Sequence, residues 1–194
     1  MKYWFPCKPN RLSAGSDLFT RLDNDTGWIA EVKKNGWRCL AYKEGGALTL
    51  WTRHHTTIND PLPELRGLLT EVLPDGCVLD GELLHNRTKE IKGVYYVFDL
   101  LMLEGAPTTS LPLWNRRQLL EAFIELVPTG SIELAAQYRI GKVKLYHDSI
   151  EGEANEGIVL KQITSTYNAS ESRCLQNPHW LKVKRVENHV YTRR

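Results

Sequence analysis

Residues 28–38, with the sequence WIAEVKKNGWR, carry the pattern that decides the fold. Glu31 and Lys33 share one parity with Ile29, while the apolar residues between them share the other, which predicts a β-strand with a carboxylate and an amine on one face. An Asn35-Gly36 turn signal follows the strand. A half-buried strand normally presents such polar residues to solvent, so the rest of the chain must show whether they have another purpose.

The length and composition indicate one globular domain. The chain has 194 residues, of which 42% are hydrophobic and 25% charged, and its net charge is +2. The charge is uneven: residues 1–138 carry 15 Lys and Arg against 17 Asp and Glu, whereas residues 139–194 carry 10 against 6. This basic C-terminal part permits contact with a polyanion, although a solvated basic face would have the same composition.

The cysteine pattern and the hydropathy predict the cellular compartment of the protein. Its four cysteines form no C-x-x-C pair and no Cys/His cluster at zinc spacing, so we expect a reduced protein without structural zinc. No apolar run reaches membrane-spanning length, and the N-terminus lacks the apolar core of a signal peptide. We therefore expect a cytoplasmic protein with no membrane partner.

Hydrophobic periodicity predicts mainly short strands after an irregular lead-in over residues 1–27, which holds one short helix at 17–22 capped by Ser16. Helices are predicted at 63–73 and at 115–127, the second capped by Asn115 and ended by Pro128. The predicted strands span 28–34, 37–43, 47–52, 77–84, 94–103, 132–138, 157–163 and 181–186. Adjacent hairpins with few helices predict an α+β domain, in which antiparallel sheets are flanked by helices.

Four further segments combine polar side chains with a strand pattern. They are VLDGELL (78–84), VFDLLMLEG (97–105), EGIVLK (156–161) and WLKVKR (180–185). In the last, Lys182 and Lys184 share a face with Trp180, an arrangement that is also common where lysines guard a sheet edge. Simple alternation puts Glu156 and Lys161 on opposite faces of their strand unless a bulge intervenes near Gly157.

Carboxylates grouped with lysines are what a polyphosphate site needs. Oxygen ligands hold Mg²⁺, and cationic donors balance the phosphate charge. A lysine near other cations is also more easily deprotonated, which frees its amine as a nucleophile. The sequence has no G-x-S-x-G elbow, no Walker-type loop and no G-x-G-x-x-G fingerprint, so any phosphate must be bound by side chains.

The segment KKNGWR (33–38) resembles the K-x-D-G-x-R nucleotidyl-lysine motif of ATP-dependent DNA ligases, and the four later segments are similar to that family's later motifs in the same order. The resemblance spans residues 28–185. It implies a covalent nucleotidyltransferase fold, with residues 1–194 forming a single adenylation domain. It also implies a minimal ATP-dependent DNA ligase of replication or repair, which seals 5′-phosphate/3′-hydroxyl nicks through a lysyl-AMP intermediate.

The resemblance assigns the nucleotide and nucleic-acid contacts. Lys33 would be the nucleophile that attacks the α-phosphate of ATP. Glu31 would contact the adenine amino group, and Phe98 would stack on the adenine ring. Arg38 would hold the ribose or the nick phosphate, and Arg53 would contact nucleic-acid phosphate.

It also assigns the groups that handle charge on the phosphates. Glu82 and Glu156 would hold Mg²⁺ or Mn²⁺ and contact the ribose. Lys161, Lys182 and Lys184 would bind the cofactor, with Lys182 and Lys184 against the α-phosphate in the transition state.

Two departures from the family pattern leave alternatives open. Asn35 stands where the family usually has Asp, and only nine residues follow Arg185, which leaves no room for the family's C-terminal oligonucleotide-binding (OB-fold) domain. We expect a monomer acting on nicked duplex DNA, which could contain RNA, with a separate partner replacing that domain. The alternatives are an RNA ligase with the same lysine chemistry, an mRNA-capping guanylyltransferase, and a relic that binds nucleotide or nucleic acid without catalysis.

Overall fold

Two β-sheets with helices on their outer faces form the protein. A computed structural model describes residues 1–59, 62–85, 93–124, 130–152 and 154–185. The strands are β1 Lys8–Arg11, β2 Trp28–Lys34, β3 Trp37–Glu44, β4 Ala47–Thr52, β5 Cys77–Leu84, β6 Val94–Leu103, β7 Ala106–Pro107, β8 Ile132–Leu134, β9 Asn155–Gln162 and β10 Gln176–Lys184. The helices are α1 Asp17–Leu22, α2 Pro63–Val72, α3 Leu113–Ile124 and α4 Lys142–Glu151. The predicted α+β class is confirmed.

The first sheet has four strands in the order β1-β10-β9-β2. β1 runs parallel to β10, and the other two pairings are antiparallel. Its outer face carries Ile158 and Val183, which pack against Phe19 of α1 and Tyr146 of α4. Because the two helices cover this face, the polar residues of opposite parity are left on the inner face.

The second sheet has six strands, in the order β4-β3-β5-β6-β7 with β8 parallel to β6. β3 and β4 form the expected hairpin, and its loop is Gly45-Gly46, both at positive φ as a two-residue turn requires. Helix α2 buries Leu65 and Leu69 in the core on the outer face, and the helix predicted at 63–73 is confirmed. None of the helices in the described part of the chain is long and apolar enough to cross a membrane.

A third apolar cluster joins the inner faces of the two sheets. Trp180 of β10 and Tyr167 pack against Leu40 of β3, Val78 of β5 and Leu101 of β6. The cluster holds the two sheets together. The polar inner residues of both sheets therefore face a shared cleft.

The lead-in over residues 1–27 is more regular than predicted. It contains α1, whose Ser16 cap is confirmed because Phe19 donates its backbone N–H to the Ser16 side chain. It also contains β1, which the sequence pattern did not predict because Pro9 interrupts it. Helix α4 was missed as well, because its buried residues include Lys142, whose ammonium donates to carbonyl oxygens of Leu22 and three other residues.

The start predicted for helix α3 is wrong. The helix begins at Leu113, two residues before the predicted Asn115 cap, and Pro128 lies outside the described residues. Leu119 is 36% exposed, whereas Arg116 is fully buried one turn before Leu120. The hydrophobic pattern failed here because an arginine occupies an inward position of the helix.

Other strands differ from the predicted ones mainly in length. The strand expected over 132–138 ends at Leu134, although Tyr138 still makes an isolated bridge with Ala30. The strands expected over 157–163 and 181–186 are Asn155–Gln162 and Gln176–Lys184, and residue 186 lies outside the described residues. Both therefore begin before the apolar alternation becomes visible in the sequence.

The positive charge of Arg116 can be buried in the core because Asp99 of β6 pairs with it. Its Nε and Nη2 donate to the two carboxylate oxygens of Asp99 at 2.7 and 2.9 Å, and both side chains are fully buried. Removing one partner leaves an unpaired buried charge, which typically costs about 3–5 kcal/mol. We expect Asp99→Asn to lower the free energy of unfolding by an amount near that range, measured by urea denaturation.

Lys144→Ala is the matched control, because it breaks the exposed Lys144–Asp148 pair on α4. We expect its unfolding free energy to equal that of the wild type within error. Equal stabilities for Asp99→Asn and the wild type would contradict the structural role of the buried pair.

Candidate active site

A cleft of about 490 Å³ lies between the two sheets and is strongly cationic. Two carboxylates line it, from Glu82 of β5 and Glu156 of β9. Six cationic side chains line it as well, and they are Lys8, Lys33, Arg38, Arg53, Lys182 and Lys184. Six positive charges against two negative ones leave an excess of four, so the cleft is suited to a polyanion.

Strand register places the predicted residues of β2 and β10 on the cleft side of the first sheet. Gly157 of β9 is the register partner of both Lys33 and Lys184, and Val159 is the partner of both Glu31 and Lys182. Residues opposite one another in adjacent strands present their side chains to the same face. The two predicted pairs, Glu31 with Lys33 and Lys182 with Lys184, are confirmed, and the register brings both pairs to one face of the sheet.

A β-bulge turns Glu156 toward the lysines. The β2–β9 register shifts between Lys33 and Lys34, whose partners are Gly157 and Asn155, so Glu156 is the extra residue on β9. Its carboxylate consequently lies on the same face as Lys33, although simple alternation opposes this. The bulge anticipated near Gly157 is confirmed.

Gly157 permits the close packing of β9 against β10. Its φ is +134°, and a Cβ at this position would lie 2.0 Å from the Val183 carbonyl oxygen. Any side chain would therefore push β10 away from β9.

Glu156 bridges two of the lysines. Its Oε2 accepts from Lys33 Nζ at 2.6 Å and lies 2.9 Å from Lys184 Nζ. Partial burial opposes ionisation of Glu156, but the hydrogen bonds and charges of the two lysines outweigh it and lower the pKa of the carboxyl group. Glu156 is thus ionised at neutral pH and holds the Lys33 amine in a defined position.

A buried carboxylate holds the Arg38 guanidinium in place. Its Nε and Nη2 each lie 2.5 Å from an oxygen of Asp80, which is fully buried and also accepts from the Tyr167 hydroxyl. Asp80 raises the pKa of Arg38 well above its ordinary value, against the opposing effect of burial. Asp80 is therefore committed to Arg38, and Glu82 is the carboxylate of this strand that lines the cleft.

The Asn35-Gly36 turn carries the chain from the first sheet to the second. Gly36 donates its backbone N–H to Glu82 Oε1 at 3.1 Å, and a Cβ on Gly36 would lie 2.6 Å from the Leu83 carbonyl oxygen. Asn35 donates its backbone N–H to the Ala154 carbonyl oxygen at 3.0 Å. The turn therefore fixes Lys33 relative to both carboxylates of the cleft.

An aromatic cavity of about 80 Å³ adjoins the cleft and shares Lys33, Arg38 and Glu82 with it. Phe98 and Trp180 line this cavity. Their rings are large flat apolar surfaces of the kind on which a nucleobase can stack. Phe98 therefore lies in an aromatic cavity, which is the environment that its predicted stacking on adenine requires.

Polar groups of the aromatic cavity are already paired. Lys161 Nζ lies 2.7 Å from Glu31 Oε2, and 4.8 and 4.3 Å from the ring centroids of Phe98 and Trp180. Gln137 donates to Glu31 Oε1 at 2.9 Å. Lys161 consequently lies with the aromatic cavity and not with the lysines around Glu156.

Cations crowd Lys182, and Arg53 lies across the cleft from them. Burial lowers the pKa of Lys182 first, and Lys33, Lys184, Lys8 and Arg11 lower it further by repulsion. Arg53 follows β4 on the second sheet, where its Nε contacts the His54 ring at 3.0 Å. The structure thus brings all the predicted site residues to the cleft or the aromatic cavity, but on two different sheets.

The carboxylates of the cleft fit a divalent cation. Glu82 engages protein donors through Oε1 and Glu156 through Oε2, so within the described residues the other oxygen of each has no donor. Magnesium at nucleotide sites is commonly held by one or two carboxylates together with phosphates. Burial raises the pKa of Glu82, and the nearby charges of Lys33 and Arg38 oppose this shift without outweighing it.

Three polar residues at the site were missed by the sequence analysis. Lys8 lies on β1 in a segment predicted to be irregular, and Gln137 and Tyr167 lie outside the predicted motifs. An alternating pattern marks only residues within one strand, and these residues reach the site from separate parts of the chain. No local signal identified them.

Comparison with known proteins connects this geometry to one family. A family model described as an ATP dependent DNA ligase domain matches residues 84–184. The SPbeta prophage-derived DNA ligase-like protein LigB of Bacillus subtilis (strain 168) is 28% identical over 186 residues, covering 87% of this chain and 64% of its own length. A DNA ligase of Methanothermobacter thermautotrophicus is 24% identical over 192 residues, which are 84% of this chain and 34% of that protein.

Solved structures show the same fold. A mycobacterial DNA ligase D complexed with ATP and MES superposes with a TM-score of 0.71 at 23% identity, covering 93% of this chain and 60% of that one. The ligase domain of M. tuberculosis LigD gives a TM-score of 0.64 at 27% identity, covering 81% of this chain and 54% of that one. This chain therefore spans from about a third to just under two thirds of the relatives described here.

The opposite pKa shifts of the two cleft carboxylates give a test of the site. Ionised Glu156 stabilises the fold above its ordinary pKa, and this contribution is lost as the pH falls through its lowered folded pKa. Ionised Glu82 destabilises the fold at neutral pH, and this penalty disappears as the pH falls through its raised folded pKa. We expect Glu156→Gln to unfold at lower urea concentration than the wild type at pH 7, and Glu82→Gln at higher.

Urea denaturation between pH 7 and pH 3 checks both signs. We expect the two differences from the wild type to shrink as the pH falls and the carboxyl groups become protonated in the folded and the unfolded protein. If both variants unfold at higher urea concentration than the wild type, or both at lower, the inference that the protein favours the ionised form of Glu156 and disfavours that of Glu82 is wrong.

Proposed function

This chain belongs to the ATP-dependent DNA ligase family, and we propose that it forms a covalent adenylate on Lys33 and uses it to seal nicks in duplex DNA. The observation that carries this proposal is the position of Lys33 Nζ, held by Glu156 beside Lys184 in a cationic cleft that opens into an aromatic cavity. A binding site without catalysis has no need for an amine held in this way.

The first step transfers AMP to the protein. The Lys33 amine, after losing a proton, forms a bond to the α-phosphorus of ATP, the bond to the bridging oxygen breaks, and pyrophosphate leaves. Lys182 and Lys184 face the same side as Lys33 and stabilise the negative charge that develops on the phosphate oxygens. Glu156 orients the amine between them.

The aromatic cavity binds the base. Phe98 stacks on adenine, and Glu31 contacts the exocyclic amino group with Lys161 and Gln137 holding its carboxylate in place. Glu82 lies at the junction of cavity and cleft, where the ribose would lie. Mg²⁺ or Mn²⁺, when bound by Glu82 and Glu156, supplies positive charge next to the phosphates.

The later steps act on DNA. The 5′-phosphate of the nick attacks the α-phosphorus and displaces Lys33, and the 3′-hydroxyl then attacks the 5′-phosphate and displaces AMP. Arg38 and Arg53 project from the second sheet and bind phosphates of the nick. Asp80 holds Arg38 in two hydrogen bonds, which defines the direction of its remaining donors.

Incubation with ATP and Mg²⁺ should label one lysine. We expect intact-mass analysis to find an AMP adduct on the wild type and on Lys34→Ala, and none on Lys33→Ala, because of these two adjacent lysines it is Lys33 that contacts Glu156. Lys34 is the matched control, since its ammonium lies 5.2 Å from the Tyr96 ring centroid. An adduct that maps to Lys34, or that survives in Lys33→Ala, would refute the assignment of the nucleophile.

A nick supplied already adenylated at its 5′-phosphate separates ligase from relic. We expect Lys33→Ala to seal it at a rate close to that of the wild type, because the covalent step has been bypassed. Glu156→Ala and Lys182→Ala should fold but seal it roughly a hundred- to thousandfold more slowly, since one lost preorganised group typically costs about 2.7–4 kcal/mol.

Gel electrophoresis of the sealed strand measures these rates, and Lys144→Ala serves as the exposed-lysine control. If the wild type binds the adenylated nick but cannot seal it, the ligase proposal is wrong and the binding-relic alternative takes its place. Sealing of the corresponding RNA nick in preference to the DNA nick would favour the RNA ligase alternative.

A further inference from the structure

Strand β1 contributes a cationic side chain to the cleft. This residue lies outside all the motifs identified in the sequence. Lys8 begins β1 and lines the cleft, and Arg11 ends β1 as the register partner of Lys182. β1 and β2 form opposite edges of the four-stranded sheet. Lys8 and the proposed nucleophile Lys33 therefore approach the cleft from opposite sides of β10, which carries Lys182.

Lys8 belongs to the part of the cationic cluster that no carboxylate neutralises. Lys33 and Lys184 share Glu156. Among the described residues, neither Lys8 nor Lys182 has a carboxylate within ion-pairing distance. Such a cluster is self-repelling in the empty protein and becomes favourable when an anion binds between its members.

Lys8 and Lys182 line the same cleft, and they lie on neighbouring strands. Lys8 is one of the charges that lower the pKa of Lys182, after burial and after Lys33 and Lys184. The backbone N–H of Lys8 donates to the Leu175 carbonyl oxygen at 2.8 Å, which holds the residue beside β10 while its side chain is exposed. The ammonium is thus available to a ligand at this side of the cleft.

In-line chemistry requires a phosphate site on the side away from Lys33. In each displacement at the α-phosphorus, the attacking and leaving groups lie roughly in line. When Lys33 attacks, pyrophosphate leaves from the opposite side. When the nick 5′-phosphate attacks, it enters from that side because Lys33 is the leaving group.

We propose that Lys8 binds the phosphate group that reacts in line with Lys33, which is pyrophosphate in the first step and the nick 5′-phosphate in the second. The inference rests on the proposed function for the identity of the two ligands. The chemistry of the site is the same in both cases, since a lysine ammonium donates to phosphate oxygens opposite the nucleophile.

Two single-turnover assays of Lys8→Ala test the two ligands separately. In the first, the concentrations of ATP for half-maximal adenylate formation and of pyrophosphate for half-maximal reversal should each rise about tenfold, as expected for loss of one charge-assisted hydrogen bond. In the second, transfer of AMP from the preformed adenylate to a nicked duplex should require about tenfold more nicked DNA for half-maximal rate. Lys8→Arg should restore both values toward those of the wild type.

Lys2→Ala is the matched control, because Lys2 is an exposed lysine of the same segment that pairs with Glu171 and does not line the cleft. It should behave as the wild type in both assays. If Lys8→Ala changes neither assay, or changes only one of them, the shared in-line site is refuted. Circular dichroism melting of each variant verifies that the fold is retained.

Binding of inorganic pyrophosphate alone keeps this test separate from the proposed function. Tryptophan fluorescence or calorimetry should show weaker pyrophosphate binding to Lys8→Ala than to the wild type, whether or not the protein forms an adenylate. If the wild type forms no adenylate but its pyrophosphate binding depends on Lys8, the proposed function fails and the phosphate site stands. Equal pyrophosphate affinities in a protein that does form the adenylate would overturn the inference alone.

Discussion

The bulge at Glu156 is the constraint on which the rest of the site depends. It inserts one residue into β9 opposite β2, so a carboxylate that alternation would send to the helical face points into the cleft. Gly157 makes this possible, because a Cβ there would collide with the Val183 carbonyl oxygen of β10. Without the close approach of the three strands, Glu156 could not contact Lys33 and Lys184 together.

Two buried ion pairs hold side chains of the second sheet in defined positions relative to Glu156 and its two lysines. Asp80 holds Arg38, and Asp99 holds Arg116 of α3. The two pairs converge on Tyr167, which donates to Asp80 and has the Arg116 guanidinium 5.8 Å from its ring centroid. Such pairs add little net stability because desolvation opposes them, but an incorrect arrangement would leave a charge unpaired. They therefore favour one geometry of the cleft over alternatives.

Much of the fold could be predicted from the sequence, and its failures have a common cause. The strands of the second sheet and helix α2 follow period-2 and period-3.6 patterns of apolar residues. The start of helix α3 and the whole of helix α4 escaped this pattern, because Arg116 and Lys142 occupy inward positions and are satisfied by Asp99 and by main-chain oxygens. A pattern that counts only apolar residues cannot identify a polar residue whose burial depends on a distant partner.

The sequence by itself determined which side chains share a strand face, because side-chain direction along a strand is a local property. Lys33 with Glu31, and Lys182 with Lys184, lie together as alternation requires. Only the tertiary structure decided that Glu156 joins them, that Asp80 serves Arg38, and that Lys8 reaches the same cleft. These placements arise from strand register and charge pairing between residues far apart in the chain, which no local pattern encodes.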